Sequence, residues 1–204
     1  MRSNFFSLVF VATLTSLSLA QSSTSSAQEQ AIATIIKLGG TVEVDSLSSD
    51  KPVVKVDLHE TNVNDADLEH LEHFKELRHL DLRKTKISDA GVAHLKHLTK
   101  LRFLNLFRTQ LSDSGLVLLK NLIELETLLM GGTKVTDKGL EHLKSFLQLR
   151  KISVFDTQVG DAGIEHLKNL PRLEVLLIGK SKISEKGAKA LQKALPKLRF
   201  TEPT

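Results

Sequence analysis

The sequence predicts an α/β solenoid in which units of one strand, one turn and one short helix stack along a single axis. Apolar residues recur with a period of 24 from residue 53 to about residue 200. Within each unit their spacing changes from two residues, typical of a strand face, to three residues, typical of one face of a short helix. One unit cannot bury its own apolar face, whereas stacked units share a continuous core. The predicted units are 53–76, 77–100, 101–124, 125–148, 149–172 and 173–197.

The composition suits one soluble globular unit with an aliphatic core. Of the 204 residues, 41% are hydrophobic and 25% are charged, and the aromatic residues are nine Phe with no Trp or Tyr. The formal net charge of +4 is spread over interleaved basic and acidic residues, which disfavours a nucleic-acid partner. Because the chain has no Cys, its stability must come from packing without disulfides.

Residues 1–27 have the pattern of a secretory signal. Arg2 precedes an apolar stretch over residues 5–20, and small residues at Ala20 and Ala27 offer two cleavage points. The apolar stretch of about 16 residues is shorter than the roughly 20 that span a bilayer, which disfavours a membrane anchor. We therefore expect an exported protein, periplasmic or secreted, with no membrane anchor in the mature chain. If residues 1–27 are not a signal, we expect a cytoplasmic protein.

The two ends of the repeat region are predicted to be covered by segments that lack the repeat pattern. Residues 28–52 should form a helix–strand cap, in which Gly39-Gly40 ends the helix and TVEVD forms the strand. Residues 198–204 should add a last strand and a tail after Pro196, which ends the last helix. The apolar residues at helical spacing in the N-terminal cap are Ile32, Ile35 and Ile36.

The first half of each unit is predicted to be a short strand followed by a turn. Positions four and six are apolar in every unit and two residues apart, so both side chains should point into the core, and position eleven adds another buried residue. Position nine is Thr or Ser in every unit, and we expect its hydroxyl to bond the backbone as the chain leaves the strand. In the second unit these residues are Leu80, Leu82, Ile87 and Thr85.

The second half of each unit is predicted to be a short helix with a marked beginning. Position twelve is a typical N-cap residue except at Gly160, and the acid at position thirteen suits the positive end of the helix. A row of calcium-binding carboxylates is disfavoured, because these acids lie a whole repeat apart. Gly recurs at position fifteen, although Gly in a helix lowers stability by up to about 1 kcal/mol relative to Ala. We therefore predict that stacked turns approach each other closely there. In the second unit these residues are Ser88, Asp89 and Gly91.

The pattern LxxLxLxxTxIxDxGLxxLxxL, which recurs in register from residue 53 to about residue 200, resembles the leucine-rich repeat family. It is similar to the repeats of secreted bacterial members, which form internalin-like or ribonuclease-inhibitor-like solenoids, and of F-box proteins. Many members have Asn at position nine, where this chain has Thr. The resemblance implies a right-handed βα superhelix with a parallel sheet on the concave face and short helices on the convex face.

The resemblance also implies the class of function. We expect a non-enzymatic module that binds a protein or peptide on the concave sheet face. The alternative is an intracellular adaptor that resembles the repeat arm of F-box ligases, although this chain has no F-box segment.

Variable residues of the predicted concave face are the candidates for binding. Side chains at positions three, five, seven and eight should face outwards, and position seven alternates Phe and Gly. Strands lie about 4.8 Å apart, so Phe107 and Phe155 should stand about 10 Å apart across Gly131, with Leu129 as the floor of the slot. Apolar anchors with a charged rim are typical of binding hot spots; the alternative is that the two Phe side chains merely pack on one another. The candidate residues are Arg83, Phe103, Phe107, Arg108, Leu129, Lys151, Phe155, Asp156 and Leu177.

The histidines are the other candidates for a functional site, because they could bind a metal. His70, His73, His94 and His97 form two H-x-x-H pairs on neighbouring predicted helices, a spacing at which two imidazoles can share a metal. We disfavour a zinc site, because helices pack about 8 to 10 Å apart and no thiol or fixed acid accompanies these residues. No nucleophile, phosphate-binding or metalloprotease motif is present either. The sequence therefore predicts neither an enzyme nor a bound cofactor.

Overall fold

The computed structural model of the protein describes residues 23–201, and these residues form one eight-stranded sheet backed by helices. This arrangement confirms the predicted α/β solenoid. The strands, side by side in sequence order, are β1 (Thr41–Val44), β2 (Val53–Asp57), β3 (His79–Asp81), β4 (Phe103–Asn105), β5 (Thr127–Leu129), β6 (Lys151–Ser153), β7 (Val175–Leu177) and β8 (Arg199–Thr201).

The helices of the described residues are short except for the first and the last. None of them is long and apolar enough to cross a membrane. The α-helices are α1 (Ser23–Lys37), α2 (Asp89–Val92), α3 (Asp113–Leu118), α4 (Asp137–Leu140), α5 (Asp161–Ile164) and α6 (Glu185–Ala194). The 3₁₀ helices are Ala66–His73, Ala93–His97, Glu141–Ser145 and Glu165–Asn169.

The sheet keeps the register of the sequence repeat. β1 pairs with β2 in the antiparallel direction, and every later pair is parallel. Leu104 lies opposite Leu80 on one side and Leu128 on the other, so residues one repeat apart are direct neighbours. Parallel strands need a crossover connection, which the turn and helix of each unit supply. Equal positions of the units therefore form continuous rows across the sheet.

The core fills the space between the sheet and the helices. Leu80, Leu104 and Leu128 have no exposed surface, and the same holds for most residues at positions four, six and eleven. In the last unit, Ile178 and Ile183 pack against the core as predicted but are only partly buried, because β8 alone lies beyond them among the described residues.

The N-terminal segment covers the other end of this core. α1 ends before Gly39, whose φ of 86° is readily adopted only by Gly, and β1 follows. Ala31 and Ile35 face the core, whereas Ile36 is 48% exposed, so the prediction that Ile36 belongs to the apolar face is wrong. The predicted signal at residues 1–27 lies outside the described residues apart from its last five, which begin α1.

The helical half of a typical unit is an α-helical turn that continues as a 3₁₀ helix. α2, α4 and α5 are each four residues long and are followed directly by a five-residue 3₁₀ helix. A 3₁₀ helix has about three residues per turn, which matches the three-residue spacing of the apolar side chains in the sequence. The spacing predicts a helix correctly, and its 3₁₀ character explains why the spacing is not the mixed three and four of an α-helix.

Hydroxyl side chains close the turns and cap the helices. The Thr85 hydroxyl donates to the Leu82 carbonyl at 2.6 Å, and the Thr at position nine makes the same bond in each of the first five units. The predicted caps Ser88, Ser112, Thr136 and Ser184 accept hydrogen bonds from the backbone N–H two or three residues further on. Both predicted roles are therefore confirmed.

The acids after the caps also join neighbouring units, a role that the sequence did not predict. Asp113 accepts two hydrogen bonds from the next unit, one from the Thr136 N–H at 2.8 Å and one from the Thr136 hydroxyl at 2.7 Å. The equivalent Asp in the other units bonds the next cap residue in the same way, with only the backbone donor at Gly160. In the last of these pairs, hydrogen bonds from the Ser184 hydroxyl and N–H lower the pKa of Asp161. The five carboxylates form a ladder between units.

The Gly column makes room for this ladder, which confirms the predicted close approach. A Cβ on Gly115 would overlap the Asp89 carboxylate and lie 2.6 Å from Leu111 Cδ1. The other Gly residues at this position face the Asp of the preceding unit in the same way. The carboxylate can therefore reach the next cap only where position fifteen lacks a side chain.

Gly115→Ala is expected to lower the free energy of unfolding by about 1 to 2 kcal/mol. Overpacking costs about 1 to 3 kcal/mol, and the better helix propensity of Ala offsets up to about 1 kcal/mol of that. Denaturant unfolding of wild type and variant would measure the difference.

Gly160→Ser is the matched control, because position twelve has space for a side chain. A Cβ there would lie 3.5 Å or more from its nearest neighbours, and Ser would restore the missing cap hydroxyl. We expect no loss of stability. Equal stability of Gly115→Ala and wild type would contradict the steric explanation.

Candidate binding surface on the sheet

The face of the sheet that points away from the core presents four rows of side chains, at positions three, five, seven and eight of the units. We call it the concave face, following the expectation from the repeat family. Its rows run in register from β2 to β7, so side chains of neighbouring units stand next to each other. Within these rows the nine predicted candidate residues divide into an aromatic part, a charged part and a buried part.

Position five is largely buried, contrary to the expectation that it is free to vary. Asp81 and Asn105 are 6% and 4% exposed. Asp81 accepts from the Arg83 N–H at 3.0 Å, Asn105 accepts from the Phe107 N–H at 3.1 Å, and the Asn105 amide donates to Asp81. These bonds satisfy backbone groups where the chain leaves the strand.

Burial also corrects the predicted role of the apolar residues at position five. Leu177 is only 8% exposed, so the prediction that it is an exposed contact residue is wrong. Leu129 is half-buried on β5, opposite Asn105 and Ser153 of the two strands that lead to Phe107 and Phe155. Only Leu129 of the two can offer apolar surface to a ligand.

Phe107 and Phe155 meet above Gly131 and do not form the predicted slot. Their ring centroids lie 6.4 Å apart, not about 10 Å, and the ring planes are inclined by 38°. The rings lean inwards because Gly131 has no side chain between them; a Cβ there would lie 3.1 Å from Phe107 Cδ2. Tilted aromatic pairs at this separation are favourable. We call this pair, whose two rings pack on one another, the aromatic bridge.

Each ring of the aromatic bridge has one cation over it. The Arg108 guanidinium carbon lies 5.2 Å from the Phe107 ring centroid, and Lys180 Nζ lies 5.6 Å from that of Phe155, both within cation–π range. Arg108 was among the predicted residues and Lys180 was not. Both are at position eight, where the backbone is left-handed, with φ of 54° and 57°.

A second aromatic contact lies at position three. His79 and Phe103 stack with centroids 3.9 Å apart and ring planes 3° from parallel. Burial, and to a smaller extent the charge of Lys55, lower the pKa of His79, against the opposing effect of nearby carboxylates. The lowered pKa favours the neutral imidazole, which lies as a flat polar ring beside Phe103.

The N-terminal flank of the concave face consists of paired charges. Lys84 Nζ lies 2.6 Å from the Glu60 carboxylate, and Arg83 lies 3.7 Å from Asp81. Lys55 pairs with Glu43, and His59 with Asp57. Arg83, a predicted contact residue, therefore already has a carboxylate partner.

The C-terminal half of the face differs from this flank. Lys151 and Asp156, both predicted contact residues, have no ion-pair partner within 4.0 Å among residues 23–201. Lys151 is half-buried on β6, and Asp156 is exposed at position eight with φ of 53°. Their charges remain available to a ligand.

The histidines of the helical side do not converge. His94 Nδ1 lies 3.2 Å from Glu72, and His70 lies 4.0 Å from Glu69. The described part of the chain contains no group of three or more His, Cys, Asp or Glu side chains placed to hold a metal.

Comparison with known proteins agrees with the fold. A family model described as leucine-rich repeat matches residues 76–96 and 97–120. No curated protein matches the sequence. The match to the model lies in the second and third predicted units.

Solved structures provide the wider similarity. The internalin InlF from Listeria monocytogenes superposes with a TM-score of 0.56 at 19% identity, over 85% of this chain and 54% of that one, so the chain spans about half of its length. Internalin C2 from the same organism superposes with a TM-score of 0.55 at 20% identity, and the match covers 87% of this chain and 81% of that one. A third similar structure is the ectodomain of the Arabidopsis thaliana receptor kinase GASSHO1/SCHENGEN3, which was solved in complex with CASPARIAN STRIP INTEGRITY FACTOR 2. It superposes with a TM-score of 0.54 at 19% identity, and the match covers 78% of this chain and 19% of that one.

Proposed function

We propose that this leucine-rich repeat protein binds a protein or peptide on the concave face of its sheet, with the aromatic bridge as the apolar anchor. The observation that carries the proposal is the bridge itself. Phe107 and Phe155 lie on the outer face of the sheet, only partly buried, and each ring is held by the other ring and by a cation.

The geometry of the bridge favours binding. Its rings are fixed before a ligand arrives, so little side-chain entropy is lost when they are covered. Aromatic residues surrounded by charged groups are common centres of protein interfaces. Leu129 adds apolar surface next to the bridge, and Lys151 and Asp156 provide charged groups at its edge.

The fold is consistent with a binding role. Leucine-rich repeat proteins generally mediate protein–protein interaction, and the similar plant ectodomain was solved in complex with CASPARIAN STRIP INTEGRITY FACTOR 2. Because these structures share only 19–20% of their residues with this chain, they support the fold alone. The proposed binding face is therefore argued from the residues of this chain.

We also propose that the function is non-enzymatic. The polar side chains at position five are used by the fold: Asp81 and Asn105 bond the backbone and each other, and Ser153 accepts from the Phe155 N–H at 3.5 Å. Groups occupied in this way are poor candidates for a nucleophile or general base, which must be free to exchange protons.

Export is the proposed location, on the pattern of residues 1–27. Intact mass measurement of the protein from its native host should show a chain that begins after residue 20 or residue 27. A chain that retains Met1 would contradict export and favour the intracellular adaptor.

Selection from a random-peptide display library tests the binding function. The purified protein should enrich peptides that bind wild type and are lost from a Phe107→Ala/Phe155→Ala variant. Enriched peptides that bind both proteins equally would contradict the proposed site.

A further inference from the structure

The charges of the concave face are distributed unevenly along the solenoid. At positions three, five, seven and eight of the first two units, Lys55, Arg83 and Lys84 each have a carboxylate within 4.0 Å. The same positions from β4 to β8 carry four cations and one carboxylate. The cations are Arg108, Lys151, Lys180 and Arg199, and the carboxylate is Asp156.

These cations have no ion-pair partner among residues 23–201. Arg108 and Lys180 are exposed, and their contacts are the rings of the aromatic bridge. Lys151 lies on β6, in the unit that carries Phe155. Cations therefore outnumber carboxylates around the bridge, where Asp156 is the one acid at these positions, while the flank towards the N-terminus is neutralised by its own carboxylates.

Two features hold the cations of the bridge in place. Arg108 and Lys180 leave the backbone at left-handed turns, and Gly132 lets the Arg108 side chain pass closely, since a Cβ on Gly132 would lie 2.8 Å from Arg108 Cγ. The guanidinium and amino groups lie over the rings, 5.2 and 5.6 Å from their centroids, and remain exposed to a ligand. An anionic group that approaches the bridge meets one cation at each ring.

We infer that the segment bound at the aromatic bridge is an acidic peptide with an aliphatic or aromatic side chain flanked by Asp or Glu. This inference rests on the proposed function and specifies its partner. The apolar side chain covers Phe107, Phe155 and Leu129, and its flanking carboxylates pair with Arg108 and Lys180. Electrostatic complementarity of this kind increases the association rate and selects among partners.

A single-stranded nucleic acid fits the same charges less well. Such ligands need exposed ring faces on which bases stack. Here Arg108 and Lys180 lie over faces of the bridge rings, and Phe103 is stacked on His79. A peptide side chain can pack against the remaining edges, whereas successive bases have no free series of ring faces.

Arg108→Asp/Lys180→Asp tests the inference with little effect on the backbone. Asp tolerates left-handed φ and already occupies position eight as Asp156, at φ 53°. The control is Lys96→Glu/Lys193→Glu, which changes the net charge equally at exposed helical lysines that have no ion pair among the described residues. Each protein is used in selection from the same peptide library, and the peptide most enriched by wild type is then titrated against all three.

Wild type and the Lys96/Lys193 control should enrich peptides in which Asp or Glu flank an apolar residue. Binding of that peptide to Arg108→Asp/Lys180→Asp should be weaker by about tenfold or more, and its affinity for wild type should fall with salt. Enrichment of apolar peptides without an acidic bias would overturn this inference and leave the proposed function intact. A peptide that binds Phe107→Ala/Phe155→Ala as well as wild type would contradict both.

A fluorescent single-stranded oligonucleotide of mixed sequence is the second probe. Wild type should bind it no better than the Arg108→Asp/Lys180→Asp variant. If wild type binds the oligonucleotide tightly and the variant does not, Arg108 and Lys180 bind phosphate groups, which would overturn the acidic-peptide inference.

Discussion

Leu104→Ala is expected to lower the free energy of unfolding by about 2 to 5 kcal/mol, the range for a fully buried Leu. Leu104 has no exposed surface and lies in β4 between Leu80 and Leu128, which are equally buried. The cavity would therefore be enclosed by two neighbouring units and could not be filled from solvent. In a solenoid each unit is stabilised mainly by its neighbours, so the loss affects both interfaces of the third unit. Denaturant unfolding followed by circular dichroism would measure it.

Leu147→Ala is the matched control for this prediction. Its side chain is 51% exposed, so the same substitution removes little buried surface and should change stability by about 0.5 kcal/mol or less. A similar loss of unfolding free energy in the two variants would contradict the prediction that position four lies in the core.

Phe107→Ala/Phe155→Ala is expected to weaken binding of a selected peptide by about 100-fold. Central aromatic residues of an interface contribute about 2 kcal/mol or more when truncated, and the double variant removes both rings that the ligand covers. Isothermal titration of the peptide against wild type and variant would measure the affinities. Unchanged affinity would exclude the aromatic bridge from the site.

The same variant should remain folded. The rings are only partly buried, and their centroids lie 6.4 Å apart. Their loss should therefore lower the free energy of unfolding by about 1 to 2 kcal/mol, less than Leu104→Ala does. Ile123→Ala/Leu147→Ala provides the binding control, since it removes two apolar side chains that are 58% and 51% exposed and lie outside the concave face. That control should bind the peptide with wild-type affinity.

The sequence predicts the frame of the fold well because the frame is periodic. Burial at positions four and six, the caps at position twelve and the Gly at position fifteen each repeat often enough to exclude chance. Leu80, Ser88 and Gly91 show all three in one unit. A regular helix–strand repeat with one register leaves few other arrangements for such a chain.

The surface was harder to predict because its side chains depend on contacts between units. Spacing alone places Phe107 and Phe155 about two strand widths apart, but the missing side chain at Gly131 lets the rings close the gap. Lys180 was missed because its role appears only when its side chain lies over Phe155, one unit earlier in the chain. Side-chain conformation at such positions is not periodic and leaves no repeat in the sequence.

Two structural roles did have a signal in the sequence. An Asp or Asn can accept from the backbone N–H two residues on, which is what Asp81 and Asn105 do at position five. The fixed Asp at position thirteen and the cap residue of the next unit recur 23 residues apart, as in Asp113 and Thr136. Both pairings could have been predicted from the combination of a fixed acceptor and a fixed donor.

The most direct test of the central claim is an NMR titration of the protein with a selected peptide. Ring resonances of Phe107 and Phe155 and methyl resonances of Leu129 should shift in parallel with binding, while the methyl resonances of Ile123 and Leu147 stay unchanged. Shifts at Ile123 and Leu147 with none at the aromatic bridge would place the binding surface elsewhere and contradict the account.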